Sequence, residues 1–210
     1  MRLMATAALA AGLFALPAHA QSGVAHDLSV ARCIVDNDAT RVNALLHNFA
    51  GAPGQAKTVR SLVELYGACD DNKTVDGTLS WRERAAIAHE AALAQLENGK
   101  TDIVAASSAT GWTALPGASE MAAGNYDKTA VGMLQFGICA VKAAPEGSLA
   151  LLRSAPGSAA ETAAIRTIAP VLQTCLPSGQ QFTLKRADLR LVVAEPIYEM
   201  LTAGSAGTQR

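Results

Sequence analysis

Apolar residues recur at helical spacing along most of the chain, and they almost never alternate with polar residues as they would in a half-buried strand. The positions that follow this period in the first half are Leu28, Ala31, Ile34 and Val35, then Val42, Leu45 and Leu46, then Val59, Leu62, Val63 and Tyr66, and then Ile87, Ala88, Ala91, Ala92 and Leu96. Runs of β-branched residues are short, and no Asn-Gly or Asp-Gly joins two alternating segments. The pattern therefore predicts an all-α fold.

Helix starts and interruptions can also be read from local chemistry. Ser80 followed by Glu83, and Ser158 followed by Glu161, have the spacing of a capping box, in which the serine oxygen and the glutamate each accept a main-chain N–H. Pro170 and Pro196 lie inside otherwise helical patterns, so each is expected to kink or split its helix.

The first twenty residues have the pattern of a secretory signal. Arg2 supplies a positive start, Met4 to Leu16 form a short apolar run, and Ala18-His19-Ala20 offers the small residues of a cleavage site. We expect a signal peptide over residues 1–20 and a mature chain from Gln21. The run is shorter than the 18 to 20 residues of a membrane anchor, and no later stretch reaches that length, so a periplasmic or secreted product is expected.

The four cysteines form a duplicated frame. Cys33 and Cys69 are 36 residues apart, Cys139 and Cys175 are also 36 apart, and the second pair follows the first by 106. Over the 37 positions from Cys33, a gapless shift of 106 gives eight identities, against roughly three by chance for this composition. We therefore predict two tandem helical units related by internal duplication, at residues 21–97 and 129–202. Residues 98–128 are expected to be a linker or crossover, and 203–210 a disordered tail.

An even number of cysteines in an oxidising compartment predicts disulfides rather than a metal site. The duplication favours Cys33 with Cys69 and Cys139 with Cys175, although four cysteines allow two other connectivities. The favoured bridges would tie the first helix of each unit to the end of its third.

The second unit carries the motif that defines a resemblance. Its residues are Cys139, Val141, Ala150 to Leu152, Pro156 to Ser158, Cys175 to Pro177, Arg190, Ala194, Glu195 and Tyr198. This block resembles a group of exported alphaproteobacterial proteins of unknown function that carry it once or twice. The first unit departs from the motif, with His89 or Glu90 in place of Glu195 and no tyrosine at the position that corresponds to Tyr198. The resemblance implies export and a helical block, and it implies no activity.

Composition and charge remove several classes of function. The chain has 17 basic and 18 acidic residues, so nothing draws it to nucleic acid, and only 4% of its residues are aromatic. His89-Glu90 opens like a zinc-binding helix, but position 93 is Leu, so the second ligand is missing and a solvated His89 is expected. Phosphate-binding loops and nucleophile elbows are absent from the sequence. We predict no metal, no cofactor and no assigned catalytic residue.

Four residues are candidates for a binding site: Trp81, Arg84, Arg190 and Glu195. The two arginines recur at equivalent positions, where an ion pair or a bond to a neighbouring carbonyl competes with a role in binding. The favoured function is a non-enzymatic binding or structural module with an envelope or extracellular partner. The alternative is a small secreted hydrolase that uses carboxylates around Asp188, Glu195 and Glu199, and it predicts a cleft with a carboxylic acid of shifted pKa.

Overall fold

The computed structural model describes residues 18–48, 55–70, 79–99, 103–108, 115, 126–176 and 184–206, and these residues form helices without strands, as the sequence predicts. In chain order the helices are α1 (Ala18–Asn37), α2 (Ala39–Leu46), α3 (Gln55–Cys69), α4 (Trp81–Glu97), α5 (Ile103–Ser108), α6 (Lys128–Ala143), α7 (Pro145–Arg153), α8 (Ala159–Leu172) and α9 (Leu189–Ala206), the last preceded by a 3-10 turn (Arg186–Asp188). None of the described helices is long and apolar enough to cross a membrane.

The central pair of helices is α4 and α9, which pack against each other along their length. Around this pair the two halves repeat one arrangement: α1 contacts α4, α3 and α2, and α6 contacts α9, α8 and α7. α4 and α9 are buried on more than one face because each packs on its own half and on its counterpart. The larger apolar cluster of the described residues therefore runs through both halves, and a smaller one lies around Met133, Phe136 and Val192.

Two helix boundaries coincide when the chain is shifted by 106 residues. The end of α1 at Asn37 falls on the end of α6 at Ala143, and the start of α2 at Ala39 falls on the start of α7 at Pro145. These coincidences support an internal duplication, which remains our proposal for the origin of the fold.

Both disulfides join the cysteines that the spacing favours. Cys33 in α1 is bonded to Cys69 at the end of α3, and Cys139 in α6 is bonded to Cys175 just beyond α8. Their Cα–Cα distances are 5.7 and 5.5 Å, and the chain has no free cysteine. Each bridge ties the first helix of its half to the end of the third, as predicted.

Local signals at the helix ends hold with one difference. Ser80 and Glu83 form the complete capping box at the start of α4. Ser158 also accepts from the Glu161 amide, but the Glu161 carboxylate accepts from the Gly157 N–H and from Arg190 rather than from Ser158. The Glu161 carboxylate is therefore used by the ion pair with Arg190 and by Gly157, and the capping box at Ser158 is incomplete.

The structure bears on the three segments that were predicted to lie outside the two helical units. Residues 98–128 were expected to be a linker or crossover, and the part of them that the structure describes includes α5, whose Ile103 is buried in the core. The tail was expected to be disordered from residue 203, but α9 continues to Ala206. Most of the predicted signal peptide, residues 1–17, lies outside the described residues, as do residues 207–210 of the predicted tail.

The two internal prolines neither split their helices nor stand at a break. Pro170 lies near the end of α8, and Pro196 lies in the middle of a continuous α9. Pro196 has no N–H to offer the Val192 carbonyl one turn earlier. Gly137 of α6 packs at this point: a Cβ added there would lie 2.1 Å from the Val192 oxygen. The close approach of α6 to α9 therefore requires glycine.

Candidate functional site

Arg84 of α4 is buried and joins both halves of the molecule. Its Nε donates to both carboxylate oxygens of Glu195 on α9, at 2.9 and 3.1 Å. Its Nη atoms donate to the main-chain carbonyls of Leu45, Leu46 and Asn48 at the end of α2. The last carbonyls of a helix have no partner within the helix, so Arg84 satisfies the end of α2 while Glu195 balances its charge.

Arg190 repeats this arrangement in the second half with a different acid. It is 1% exposed, and it donates to the Ser154 carbonyl at 2.6 Å and to the Glu161 carboxylate of α8. Ser154 is the counterpart of Asn48 at the shift of 106, so both arginines bind the carbonyl that lies 36 residues earlier. The two arginines are structural equivalents, and the structure does not bring Arg190 together with the other three candidate residues.

The counterpart of Glu195 in the first half is His89, and it faces the second half. Its Nε2 lies 3.0 Å from the Leu152 carbonyl and its Nδ1 lies 3.0 Å from the Glu90 carboxylate, which also accepts from Arg32. A solvated His89 was expected, but it is 3% exposed, because the packing of α4 against α7 covers it. Both ring nitrogens therefore face an oxygen atom, one on α7 and one on α4 itself.

Glu90 is held in its ionised form by these partners. Burial raises the pKa of its carboxyl group, but hydrogen bonds from His89 and Arg32 outweigh burial and hold the pKa below its ordinary value. The chain of contacts from Arg32 to Leu152 thus links α1, α4 and α7 through charge-assisted bonds.

Trp81 lies near the Arg84–Glu195 pair. All three line a cavity of about 20 Å³ together with residues of α6 and α9, including Met133 and Val192. A cavity of this size holds one water molecule at most. Three of the four candidate residues, Trp81, Arg84 and Glu195, therefore meet in a packed junction between the halves, and this cavity has no room for a ligand.

The acids of the hydrolase hypothesis occupy three different environments. Asp188 is buried and forms a salt bridge with Arg82, and Glu195 is bonded by Arg84 through both oxygens. Burial, followed by the neighbouring Glu195 charge, raises the pKa of Glu199 to about 7. Glu199 is thus the acid with a shifted pKa that this hypothesis predicts, while its neighbour Glu195 is not free to act as a base.

The first half carries an open groove of about 470 Å³ between α1, α2, α4 and α9, where the sequence suggested no site. Its lining contains no Asp, Glu, Lys or Arg. The lining residues are Val35, Ala39, Thr40, Val42, Asn43, His47, Ala91, Ala94, Gln95, Tyr198 and Thr202. The groove thus offers hydroxyl, amide and imidazole groups above an aliphatic floor, and its volume lies in the usual range for ligand sites.

One hydrogen bond orders the polar wall of this groove. The Tyr198 hydroxyl donates to Asn43 Oδ1 at 2.6 Å, and burial raises the pKa of Tyr198 to about 12, so the hydroxyl keeps its proton. The described residues place no acceptor on the Asn43 amide nitrogen. Since its oxygen is held, Asn43 presents its N–H groups as donors of fixed identity.

A second, charged groove adjoins the first. It has a volume of about 310 Å³ between α1 and α4, and it shares Val35 and Ala94 with the uncharged groove. Arg32 lies in it with three acids, Asp36, Glu90 and Glu97. One face of the first half therefore passes from an uncharged polar surface to an acidic one.

Sequence reasoning missed Asn43, Gln95 and Thr202 as groove residues. A usable signal was present in the repeat itself: at the shift of 106 their counterparts are Leu149, Leu201 and Leu96. A polar residue in one copy opposite leucine in the other marks a surface that the two halves use differently. Among the described residues no cluster of three or more His, Cys, Asp or Glu could hold a metal ion.

Comparison with known proteins adds no relative: no protein-family model, no curated protein and no solved structure matches this chain. The groove and the packing of the two halves are therefore the observations on which a function can be based.

Proposed function

We propose that this chain is an exported binding module of the cell envelope or the extracellular space, and that the groove of the first half is its binding site. The two disulfides support export, because such bonds form and persist in oxidising compartments. The signal-like residues 1–20 support the same route.

The observation that carries the binding function is the uncharged polar groove in a fixed frame. α1 and α2 form one wall; the Cys33–Cys69 bond ties α1 to α3, and Arg84 anchors the end of α2 to α4. A site whose walls are held in place loses little conformational entropy when a ligand binds. The lining favours a ligand with uncharged hydrogen-bonding groups, since it contains no Asp, Glu, Lys or Arg to pair with an ion.

The hydrolase alternative rests on the raised pKa of Glu199. Acid–base hydrolysis of a glycoside uses two carboxyl groups, one as the acid and one as the base or nucleophile. The adjacent Glu195 is occupied by Arg84, and neither residue is among those that line the uncharged groove. We therefore favour binding over hydrolysis.

Site-specific photocrosslinking tests the proposal. A benzophenone amino acid at Gln95 is expected to form a discrete adduct with a component of the envelope, and the same group at Arg166, an exposed position on α8, is the matched control. The adduct should disappear when Asn43→Ala and Tyr198→Phe remove the ordered wall. An adduct that survives both changes would contradict the proposal, as would hydrolysis of an envelope polymer that is lost in Glu199→Gln.

A further inference from the structure

The counterpart of the groove in the second half is already occupied, and its occupant is a helix. α5 packs against α6, α7 and α9, which are the equivalents of α1, α2 and α4. The latter three helices supply most of the groove lining. One half thus shows this three-helix surface filled by a short helix, and the other shows it open.

The residues that line the covered surface are apolar, whereas those at the equivalent positions of the open groove are mostly polar. The filled surface carries Leu149, Met200 and Leu201, all buried in the same core as Ile103 of α5. At the equivalent positions the open groove carries Asn43, Ala94 and Gln95. Leucine at these positions would leave an apolar surface in water if no helix covered it, whereas amides remain hydrated. The open surface can therefore remain exposed to water without a covering helix.

From this correspondence we propose that the groove receives a short helical segment of a partner protein, which lies across α1, α2 and α4 as α5 lies across α6, α7 and α9. This inference rests on the proposed binding function and specifies the occupant. The contacting face of the partner helix carries uncharged polar side chains, because the lining offers amide, hydroxyl and imidazole groups and no Asp, Glu, Lys or Arg side chain. Binding of a peptide as a helix in a groove between helices is a common mode of peptide recognition.

The helical shape can be tested without knowing the partner. The combined variant Asn43→Leu, Gln95→Leu and Thr202→Leu gives the groove the residues of the filled surface. The probe is a hydrocarbon-stapled peptide of residues 101–110, which contains α5, and the control is a stapled peptide of the same composition in scrambled order. In NMR titrations we expect the α5 peptide to bind the variant at least tenfold more tightly than wild type, with shift changes at Val35, Val42 and Ala94. A folded variant that shows no preference, or that binds the scrambled peptide equally well, overturns the helical occupant.

The wild-type chain supplies a second measurement that does not depend on this variant. The adduct at Gln95 is digested, its partner peptide is identified by mass spectrometry, and that peptide is synthesised and mixed with the protein. A gain in helical circular dichroism on binding supports the inference. A glycan or lipid adduct, a peptide that gains no helix, or a crosslink to another segment of this chain overturns the inference of a helical occupant. The proposed binding function is then tested by the Asn43 and Tyr198 variants alone. Absence of any adduct removes both proposals.

Discussion

Arg84 and Glu195 are 111 residues apart in the sequence, and their side chains form a bidentate ion pair between the two halves. The carboxylate comes from the position that His89 occupies in the other half. Arg190, the counterpart of Arg84, therefore faces no acid at that position and pairs with Glu161 of its own half. Because position 195 is Glu and the equivalent position 89 is His, Arg84 pairs with an acid of the other half, whereas Arg190 pairs with an acid of its own half.

Glu195→Gln is expected to lower the free energy of unfolding by about 3 kcal/mol, because it leaves the buried Arg84 guanidinium without a balancing charge. Urea unfolding followed by circular dichroism measures the change. The matched control is Glu97→Gln at an exposed position of α4, which should alter stability by less than about 0.5 kcal/mol. Equal losses in the two variants would show that the pair contributes nothing particular.

Combining Glu195→Gln with Arg84→Met separates the ion pair from the other bonds of Arg84. The double variant should be more stable than the sum of the single losses predicts, by about 1–3 kcal/mol, since the buried charge disappears with its partner. It should still be less stable than wild type, because the carbonyls at the end of α2 lose their donor. Additive losses would contradict a direct coupling.

The helical fold, the two disulfides and the cap at Ser80 could be predicted because each depends on residues close in sequence or on a simple spacing. Helical period, a Ser-x-x-Glu step and a repeated interval of 36 between cysteines carry their own physical meaning. They needed no knowledge of which helices would meet.

Burial of His89 and the partners of Glu161 could not be predicted in this way, because both follow from contacts between helices that are far apart in sequence. A histidine on α4 is solvated or buried according to whether α7 lies over it. α5 was missed for a related reason: six residues make too short a helix to be stable alone, and its packing against α7 and α9 holds it. The groove could not be predicted for the same reason, because it is open only where α5 does not cover the equivalent surface of three helices.

Removing either disulfide is expected to cost about 4 kcal/mol, since each closes a loop of about 37 residues and thereby restricts the unfolded chain. The Cys33→Ser, Cys69→Ser variant and the Cys139→Ser, Cys175→Ser variant should lose similar amounts in urea unfolding. Wild type unfolded under reducing conditions supplies the control and should lose more than either variant. A loss below about 1 kcal/mol in either variant would show that its bridge adds little to the packing of that half.

Gly137→Ala is expected to destabilise the protein by about 2–4 kcal/mol, because the added Cβ would lie 2.1 Å from the Val192 oxygen and 2.9 Å from Pro196 Cγ, which forces α6 away from α9. Thermal unfolding by circular dichroism measures the loss. Gly67→Ala is the matched control in α3, where nothing lies within 4 Å of the added atom. This control should gain about 0.5–1 kcal/mol from higher helix propensity. The same sign of change at both positions would contradict the close contact at Gly137.

Stability should fall as pH rises from about 4.5 to about 7, and Glu199 is the expected cause. Burial and the neighbouring Glu195 raise the pKa of Glu199 to about 7 in the folded state, whereas the unfolded carboxyl group ionises near its ordinary value of 4.5. Between these two values the unfolded chain has released a proton that the folded chain still holds, so rising pH favours unfolding, and the loss is complete above the folded pKa. Its size is about 3 kcal/mol.

Glu199→Gln removes this titration, so the variant should match wild type below pH 4 and exceed it by up to about 3 kcal/mol at pH 8, as measured by urea unfolding across the pH range. Glu90 acts in the opposite direction: its lowered pKa stabilises the fold above about pH 4.5, and that contribution is lost as pH falls further, equally in both proteins. The loss of stability at acid pH is therefore the same in wild type and Glu199→Gln, and the change in stability between pH 4.5 and 7 distinguishes the two proteins. Glu64→Gln, at an exposed position of α3, should follow wild type throughout. If Glu199→Gln kept the full decline between pH 4.5 and 7, the loss would have to arise from another group.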